Sequence, residues 1–368
     1  MSDSTRIDYL QLALTPGVGP RILRSLLDHF DNATTVLSAS PIELGEVEGV
    51  GVALTRRIRN PEVRQQALAL TQQCEDFGIR ILIPQDPHFP RLLHEIVDPP
   101  NLLFVKGEFA RTDALAVAIV GTRGATQYGR SQAQRFARSL ARAGLTIVSG
   151  LARGIDAAAH EGALEAEGRT IGVLSNGVAE IYPPQHAELG QRIAHSGVLV
   201  SEMPPGTKPK KGMFPQRNRL ISGLTLATIV IEAAERSGAL ITARLAGEQG
   251  REVMALPGLV TTPNSRGCHR LIRDGAHLIQ DPEDVLEALG PLVEGVALEP
   301  ERTIRHAAEL QLNEQENLVL QAIGVAPTDI NAVVHGSGLP VSRVLSTLSV
   351  LEMRRLVRRI SGQTVQRI

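Results

Sequence analysis

The run Ala116–Gly129, AVAIVGTRGATQYG, decides the fold. Its first residues are uninterruptedly apolar, which suits a strand buried on both faces, and they open into glycine, a hydroxyl and a cation ahead of a helix. The same form recurs at Leu145–Gly150, Thr170–Gly177, Val198–Met203, Leu226–Ala233, Glu252–Pro257 and Ala276–Ile279, with helical stretches between. This alternation predicts an α/β protein built on a parallel, doubly wound sheet. In open sheets of this kind ligands sit beyond the carboxyl ends of the strands, so the residues just after each run are the candidate site.

Those residues share a character. The first run opens into Gly121-Thr122-Arg123-Gly124, the second into Ser149-Gly150-Leu151-Ala152-Arg153-Gly154 and the third into Asn176-Gly177. Glycines, hydroxyls and arginines at helix starts make a rim suited to anions. After the fourth run comes Lys208–Arg219, KPKKGMFPQRNR, which gathers Lys208, Lys210, Lys211, Arg217 and Arg219 around Phe214 in a chain only 3% aromatic. Cations neutralise phosphates while a ring stacks on an unpaired base, the pattern of single-stranded nucleic-acid binding. A solvated basic loop with Phe214 buried fits the segment alone equally well.

The same positions argue against other chemistries. GTRGATQYG lacks the G-x-G-x-x-G spacing, and the second run ends in Ser149-Gly150 where a dinucleotide site needs an acid for the ribose. Ser149 is not set in a G-x-S-x-G elbow. Asp156 and His160, four apart on one helix, and Glu232 after a strand are candidate acid–base groups, although helix capping and structural ion pairing are the commoner uses of such residues.

With 368 residues, 43% hydrophobic and 21% charged, the chain is globular and long enough for a main domain with smaller modules. A formal net charge of −1 excludes a general cationic coat, so any nucleic-acid surface is local. No apolar run is long enough to span a bilayer, and the start MSDSTRIDYLQ lacks the pattern of a signal peptide, so a cytoplasmic protein without membrane contact is expected. Cys74 and Cys268 are too isolated for a disulfide framework or a zinc site, and neither metal nor cofactor is expected.

The ends differ from the middle. Gly17-Val18-Gly19 and Gly49-Val50-Gly51 each precede a helical pattern, through Leu27 and Ile58, an internal duplication of a helix, Gly-x-Gly turn, helix unit. Such turns suit either a DNA-binding helical hairpin or two hairpins packed on each other. Gly290–Gln311, with Pro291, Pro300 and several glutamates, reads as a connecting stretch. Three helical patterns follow, then RLVRRI and TVQRI about Gly362, a winged-helix-like arrangement. The pattern Val341, Leu345, Leu348, Leu351 assigns the core face of the third helix. Arg354, Arg355, Arg358 and Arg359 on the hairpin are candidate phosphate contacts, whereas the helix before them carries only Arg343, too little for sequence-specific reading. The expected division is 1–75, 76–290, a linker at 291–312, and 313–368.

IVGTR, Tyr128-Gly129, IVSGLARGIDAAAH, Tyr182-Pro183, SEMPPG, FPQRNRLISGL, EAAERSGALITA, Pro257-Gly258 and LIRDGAHLI, in this order, resemble the bacterial DNA-processing protein A family, also called Smf or DprA. The resemblance implies an extended Rossmann-like core that binds single-stranded DNA, homodimerises and helps load RecA recombinase during natural transformation, with no catalytic activity. It further implies an N-terminal SAM-like helical module and a C-terminal winged helix. Carried over by position, the DNA contacts are Arg123, Lys210, Lys211, Phe214, Arg217, Asn218 and Arg219, with Gly150, Gly154 and Gly177 giving close backbone approach. Leu271, Ile272, Leu278 and Ile279 are the candidate dimer surface, although burial within the chain is the commoner fate of such residues. His269 stands where the family usually has asparagine. The competing classes are a phosphoribohydrolase-type nucleotide enzyme, whose P-G-G-x-G-T turn is absent, and a winged-helix transcription regulator.

Overall fold

The computed structural model describes residues 3–299 and 302–368. Met1, Ser2, Pro300 and Glu301 lie outside the described residues. Six helices begin the chain: α1 (Asp3–Leu14), α2 (Pro20–Phe30), α3 (Ala33–Ser38), α4 (Pro41–Gly45), α5 (Val52–Ile58) and α6 (Pro61–Asp76). The two repeated turns join α1 to α2 and α4 to α5, with Gly17 and Gly49 at φ 98° and 88°, backbone that side chains disfavour. Each turn is covered by the other hairpin. A Cβ on Gly17 would lie 3.3 Å from Leu54 and Arg57, and one on Gly49 3.7 Å from Ile22. The hairpins thus pack on each other around Leu23, Leu26, Leu44 and Ile58, and Arg57 donates to the Pro16 carbonyl at 3.2 Å.

Next come β1 (Arg80–Leu82) and β2 (Leu103–Gly107), an antiparallel pair that the sequence does not announce because each strand is short and the stretch between is rich in proline. The alternating core follows: β3 (Ala116–Val120), α7 (Gln127–Arg142), β4 (Thr146–Ser149), α8 (Ile155–Glu165), β5 (Thr170–Val173), α9 (Ala187–Ser196), β6 (Val198–Ser201), α10 (Met213–Gly223), β7 (Ala227–Val230), α11 (Gly238–Glu248), β8 (Glu252–Ala255), α12 (Arg266–Arg273), β9 (His277–Leu278) and α13 (Pro282–Leu289). The sheet order is β1-β2-β6-β5-β4-β3-β7-β8-β9, parallel from β6 to β9. It is the doubly wound α/β core that the apolar runs predict.

Strand β3 shows why those runs are continuous. Val117 and Ile119 face the layer of α7, α8 and α13, while Ala116, Ala118 and Val120 face α10, α11 and α12. The chain builds outward from β3 to β6, then returns to place β7 on the other side of β3. The order reverses between those two strands, and a crevice at their carboxyl ends follows from the topology. The initial helices close the β1–β2–β6 edge, where Leu10, Leu70 and Cys74 meet Phe104, Leu189 and Ile193.

The connecting stretch carries structure of its own: β10 (Pro291–Glu299) pairs with β11 (Arg302–His306), and Ala307 is buried against the α7–α13 layer. Beyond it α14 (Glu314–Gln321), β12 (Thr328–Asp329), α15 (Ile330–Ser337), α16 (Val341–Met353), β13 (Val357–Arg359) and β14 (Thr364–Arg367) form a winged helix with strand order β12-β14-β13. Its core differs from the expected phase. Val344, Leu348 and Leu351 of α16 point inward, whereas Val341 and Leu345 are 52% and 39% exposed. Among the described residues no helix is long and apolar enough to cross a membrane.

Inside α8, His160 is fully buried, with Nδ1 2.7 Å from the Thr170 hydroxyl, which itself donates to the Ile147 carbonyl. Nδ1 therefore carries the proton and Nε2 has no partner. Burial, with help from His186 and Arg217, pushes this imidazole down to about 3. An unfolded histidine titrates near 6.5, so the unfolded state takes up a proton first as pH falls. Stability is expected to be intact above about pH 6.5 and to decline below it, this residue contributing a slope of roughly 1.4 kcal/mol per pH unit. Urea unfolding between pH 7 and 5 should show a shallower decline for His160→Gln than for the parent chain.

Candidate nucleic-acid interface

The β3–β7 crevice is partly closed by the chain itself. Thr122 donates its amide to the Glu232 carbonyl at 2.8 Å, and the Glu232 carboxylate accepts from the Thr126 amide at 3.0 Å and hydroxyl at 2.5 Å. A Cβ on Gly129 would lie 2.4 Å from that carboxylate, so the start of α7 requires glycine at this point. Glu232 is a clamp on the loop after β3, and its oxygens are engaged by that loop.

Helix α10 brings the basic segment to the crevice, with one face turned inward. Arg217 and Asn218 are buried with Leu220 and Ile221. The Arg217 guanidinium lies beneath Gly150, where a Cβ would be 2.2 Å from it, and it donates to the Val173 carbonyl. Asp156 stands nearby, accepting from the amides of Gly150 at 3.2 Å and Ala152 at 3.3 Å. Burial pulls Arg217 down to about 10 while Asp156 holds it up. Burial likewise raises the Asp156 carboxyl against the opposing charge of Arg217. Arg217 remains a cation at neutral pH, compensated from within.

Arg219 is also spent internally, 2.5 Å from Glu202 and 3.2 Å from Asp98. Burial raises Glu202, and Arg219 draws it back. Asn218 donates to the Gly238 carbonyl at 3.4 Å, tying α10 to α11. Arg217, Asn218 and Arg219, expected as DNA contacts, turn most of their polar atoms into the fold, while Arg217 and Asn218 also line the cleft of about 410 Å³ beside Phe214, and Arg217 Nε and one terminal nitrogen of Arg219 have no hydrogen-bond partner among the described residues. Gly150, Gly154 and Gly177 are each pressed against the chain's own atoms, Gly150 also lining the cleft of about 300 Å³. Gly150 makes room for Arg217, and side chains on Gly154 and Gly177 would meet the carbonyls of Thr122 and Pro204 at 2.4 and 2.3 Å.

What faces out is the first turn of α10 and the segment before it. Lys208, Lys210 and Lys211 are exposed, and Phe214 is half-buried. The Arg123 guanidinium covers the Phe214 ring at 4.8 Å from its centroid. Tyr182, 41% exposed, stands 6.2 Å from the same ring at 54°. Arg123 and Phe214 border two clefts of about 410 and 300 Å³, the second also lined by Arg153, Ser175, Asn176 and Tyr182. Among the described residues Arg123, Arg153, Lys208, Lys210 and Lys211 make no ion pair. Tyr182 and Arg153 are the additions that structure makes to the sequence-derived set; the signal for both was present in the Tyr182-Pro183 step and the SGLARG turn.

Residues 80–290 match the family model described as DNA recombination-mediator protein A, and residues 304–363 match the DprA winged helix domain. The chain belongs to the DNA recombination-mediator protein A family. It is 36% identical to protein Smf of Synechocystis over 397 aligned positions that cover all of both chains. The X-ray structure of DNA processing protein A (DprA) from Streptococcus pneumoniae superimposes with a TM-score of 0.63 at 34% identity, over 76% of this chain and 96% of that one. DNA processing protein A from Helicobacter pylori, whose structure is titled for its single-stranded DNA binding mode, matches with a TM-score of 0.53 at 33% identity, over 58% of this chain and 96% of that one.

Other residues read as family contacts sort differently. His269 Nε2 lies 2.9 Å from the Gly258 carbonyl and 3.3 Å from its amide, the shorter contact having the imidazole donate, so it fastens the loop after β8 to α12. Ile279 is 1% exposed, in the core with α13, and is removed from the candidate dimer surface. Leu271 and Ile272 are half-buried against the layer of α10–α12, and Leu278 on β9 is 47% exposed. On the winged helix, Arg354, Arg355 and Arg359 lie 3.6, 3.8 and 3.4 Å from Glu316, Glu287 and Glu352, and Arg358 donates to the neutral Gln366.

Removing a buried charge's partner is costly where removing an exposed cation is not. Asp156→Asn is expected to lower unfolding stability by about 3–5 kcal/mol. Arg123→Ala should change it by less than about 0.5 kcal/mol. Urea denaturation of the two variants side by side checks this.

Proposed function

We propose that this chain is a recombination mediator that binds single-stranded DNA at the Arg123–Phe214–Tyr182 rim, acts as a homodimer without catalysing a reaction, and delivers DNA to RecA recombinase during natural transformation in the cytoplasm. The observation that carries the reading is the pair of half-exposed rings between two clefts, one ring capped by Arg123 and flanked by cations without partners. Unpaired bases expose the faces such rings stack on, at about 1–3 kcal/mol per base, and a duplex hides them. Lysines on a segment just ahead of the ring supply the phosphate contacts that make binding salt-dependent. Similarity to the Helicobacter protein, titled for single-stranded DNA binding, points the same way.

Two alternatives lose support from the same residues. An acid–base enzyme would draw on Glu232 and Asp156, which already serve Thr126 and Arg217. A duplex-reading regulator would read bases from α16, on which Arg343 is the one cation. Dimerisation is proposed through Leu278 with the half-buried Leu271 and Ile272 beside it, and the RecA role rests on family membership.

Phe214→Ala should weaken binding to an oligothymidylate by roughly 5- to 150-fold, the loss of one stacked base. Arg123→Ala should make the dependence of log affinity on log salt shallower by about 0.7. Fluorescence anisotropy across a salt series reads both. Undiminished binding by Phe214→Ala, or equal affinity for duplex, would remove the stacking account.

A further inference from the structure

We propose that the arginine face of α12, with Arg236 beside it, is a second phosphate-binding stretch that takes the continuing backbone of a single strand held at the Arg123–Phe214 rim. This rests on the reading of that rim as a single-stranded DNA site. The first observation is continuity. The cleft beside Phe214 shares Ser237 and Ile241 with a cleft of about 760 Å³, which in turn shares Glu235, Arg236 and Arg270 with one of about 670 Å³ over α12. Asn264, two residues before α12, donates to the Gly124 carbonyl at 3.1 Å and so holds this region against the Arg123 loop. Both lie beyond the carboxyl ends of the parallel strands, Arg236 after β7 and α12 after β8.

The second observation is charge. Arg266, Arg270 and Arg273 recur at helical spacing along one side of α12, a reach of about 10 Å. All three and Arg236 are exposed. Arg266 occupies the first residue of the helix, where the dipole disfavours a cation, so local stability does not account for its placement. Its neighbour Glu235 is 3.8 Å away, and Arg270 is 3.5 Å from Asp274, exposed pairs of the kind that contribute little and exchange readily for phosphate. Arg236 and Arg273 make no ion pair among the described residues. In a chain of net charge −1 this is a local surplus of cations, joined to Arg123 by the run of clefts.

The test is a variant carrying both Arg270→Gln and Arg273→Gln, titrated with oligothymidylates of about six and about twenty nucleotides. The longer strand should bind roughly tenfold more weakly at moderate salt, with a log–log salt slope shallower by about 1.4, while the shorter one binds as to the parent chain. An unchanged slope with the longer strand, in a protein whose Phe214→Ala variant does lose binding, overturns the second stretch and leaves the rim intact. Equal losses for both lengths would also overturn it, since the arginines would then belong to the primary contact. Light scattering on the same variant adds a further check: a fall in mass accompanying the loss would assign these arginines to self-association instead. If the parent chain binds neither strand, the rim itself fails and this inference with it.

Discussion

A guanidinium withdrawn from water inside the carboxyl edge of the sheet, that of Arg217, fixes how α10 can sit. An uncompensated cation at that depth would cost several kcal/mol, so the helix must be turned to place it under Gly150, against the Val173 carbonyl and within the field of Asp156. Those groups come from two strand ends, those of β4 and β5, and the start of α8, which makes the contact a joint between layers. Phe214 is three residues earlier and therefore stands about one turn above it, at the mouth of the crevice, where Arg123 and Tyr182 can reach its ring. The internal cation positions the external ring.

This division of labour explains how a nearly neutral chain offers a cationic edge. Some of its acidic residues compensate arginines within the fold or cap helices, as Glu202 with Arg219 and Asp281 at the start of α13 show. Arg123, Arg153, Lys208, Lys210 and Lys211, on loops beyond the strand ends, make no ion pair among the described residues. Their field is local, and because exposed charges are screened over about 8 Å at physiological salt, they act on a strand only when it lies along that edge.

Much of this was legible in the sequence, and the reasons differ by element. The parallel strands were readable because burial on both faces imposes an unbroken apolar run, as in β3. Strands β1 and β2 were not, since a few residues between prolines carry no period. Phe214 and the lysines stand out by composition, whereas the inward ties of Arg217 and Arg219 do not, because their carboxylate neighbours, Asp156 and Glu202, are distant in sequence and meet them only in the folded chain. Ile279 was misplaced for a related reason: its run reads as an edge, but α13 folds back over it. In α16 the apolar residues occur on more than one side, so the sequence favoured Val341 and Leu345 over the buried Val344.

The most direct measurement of the central claim is photocrosslinking of a single strand carrying a photoreactive pyrimidine, followed by mapping of the modified peptides. Adducts are expected at Phe214 and Tyr182, far apart in sequence yet adjacent in space. Adducts confined to the winged helix at 313–368, with none at either ring, would contradict it.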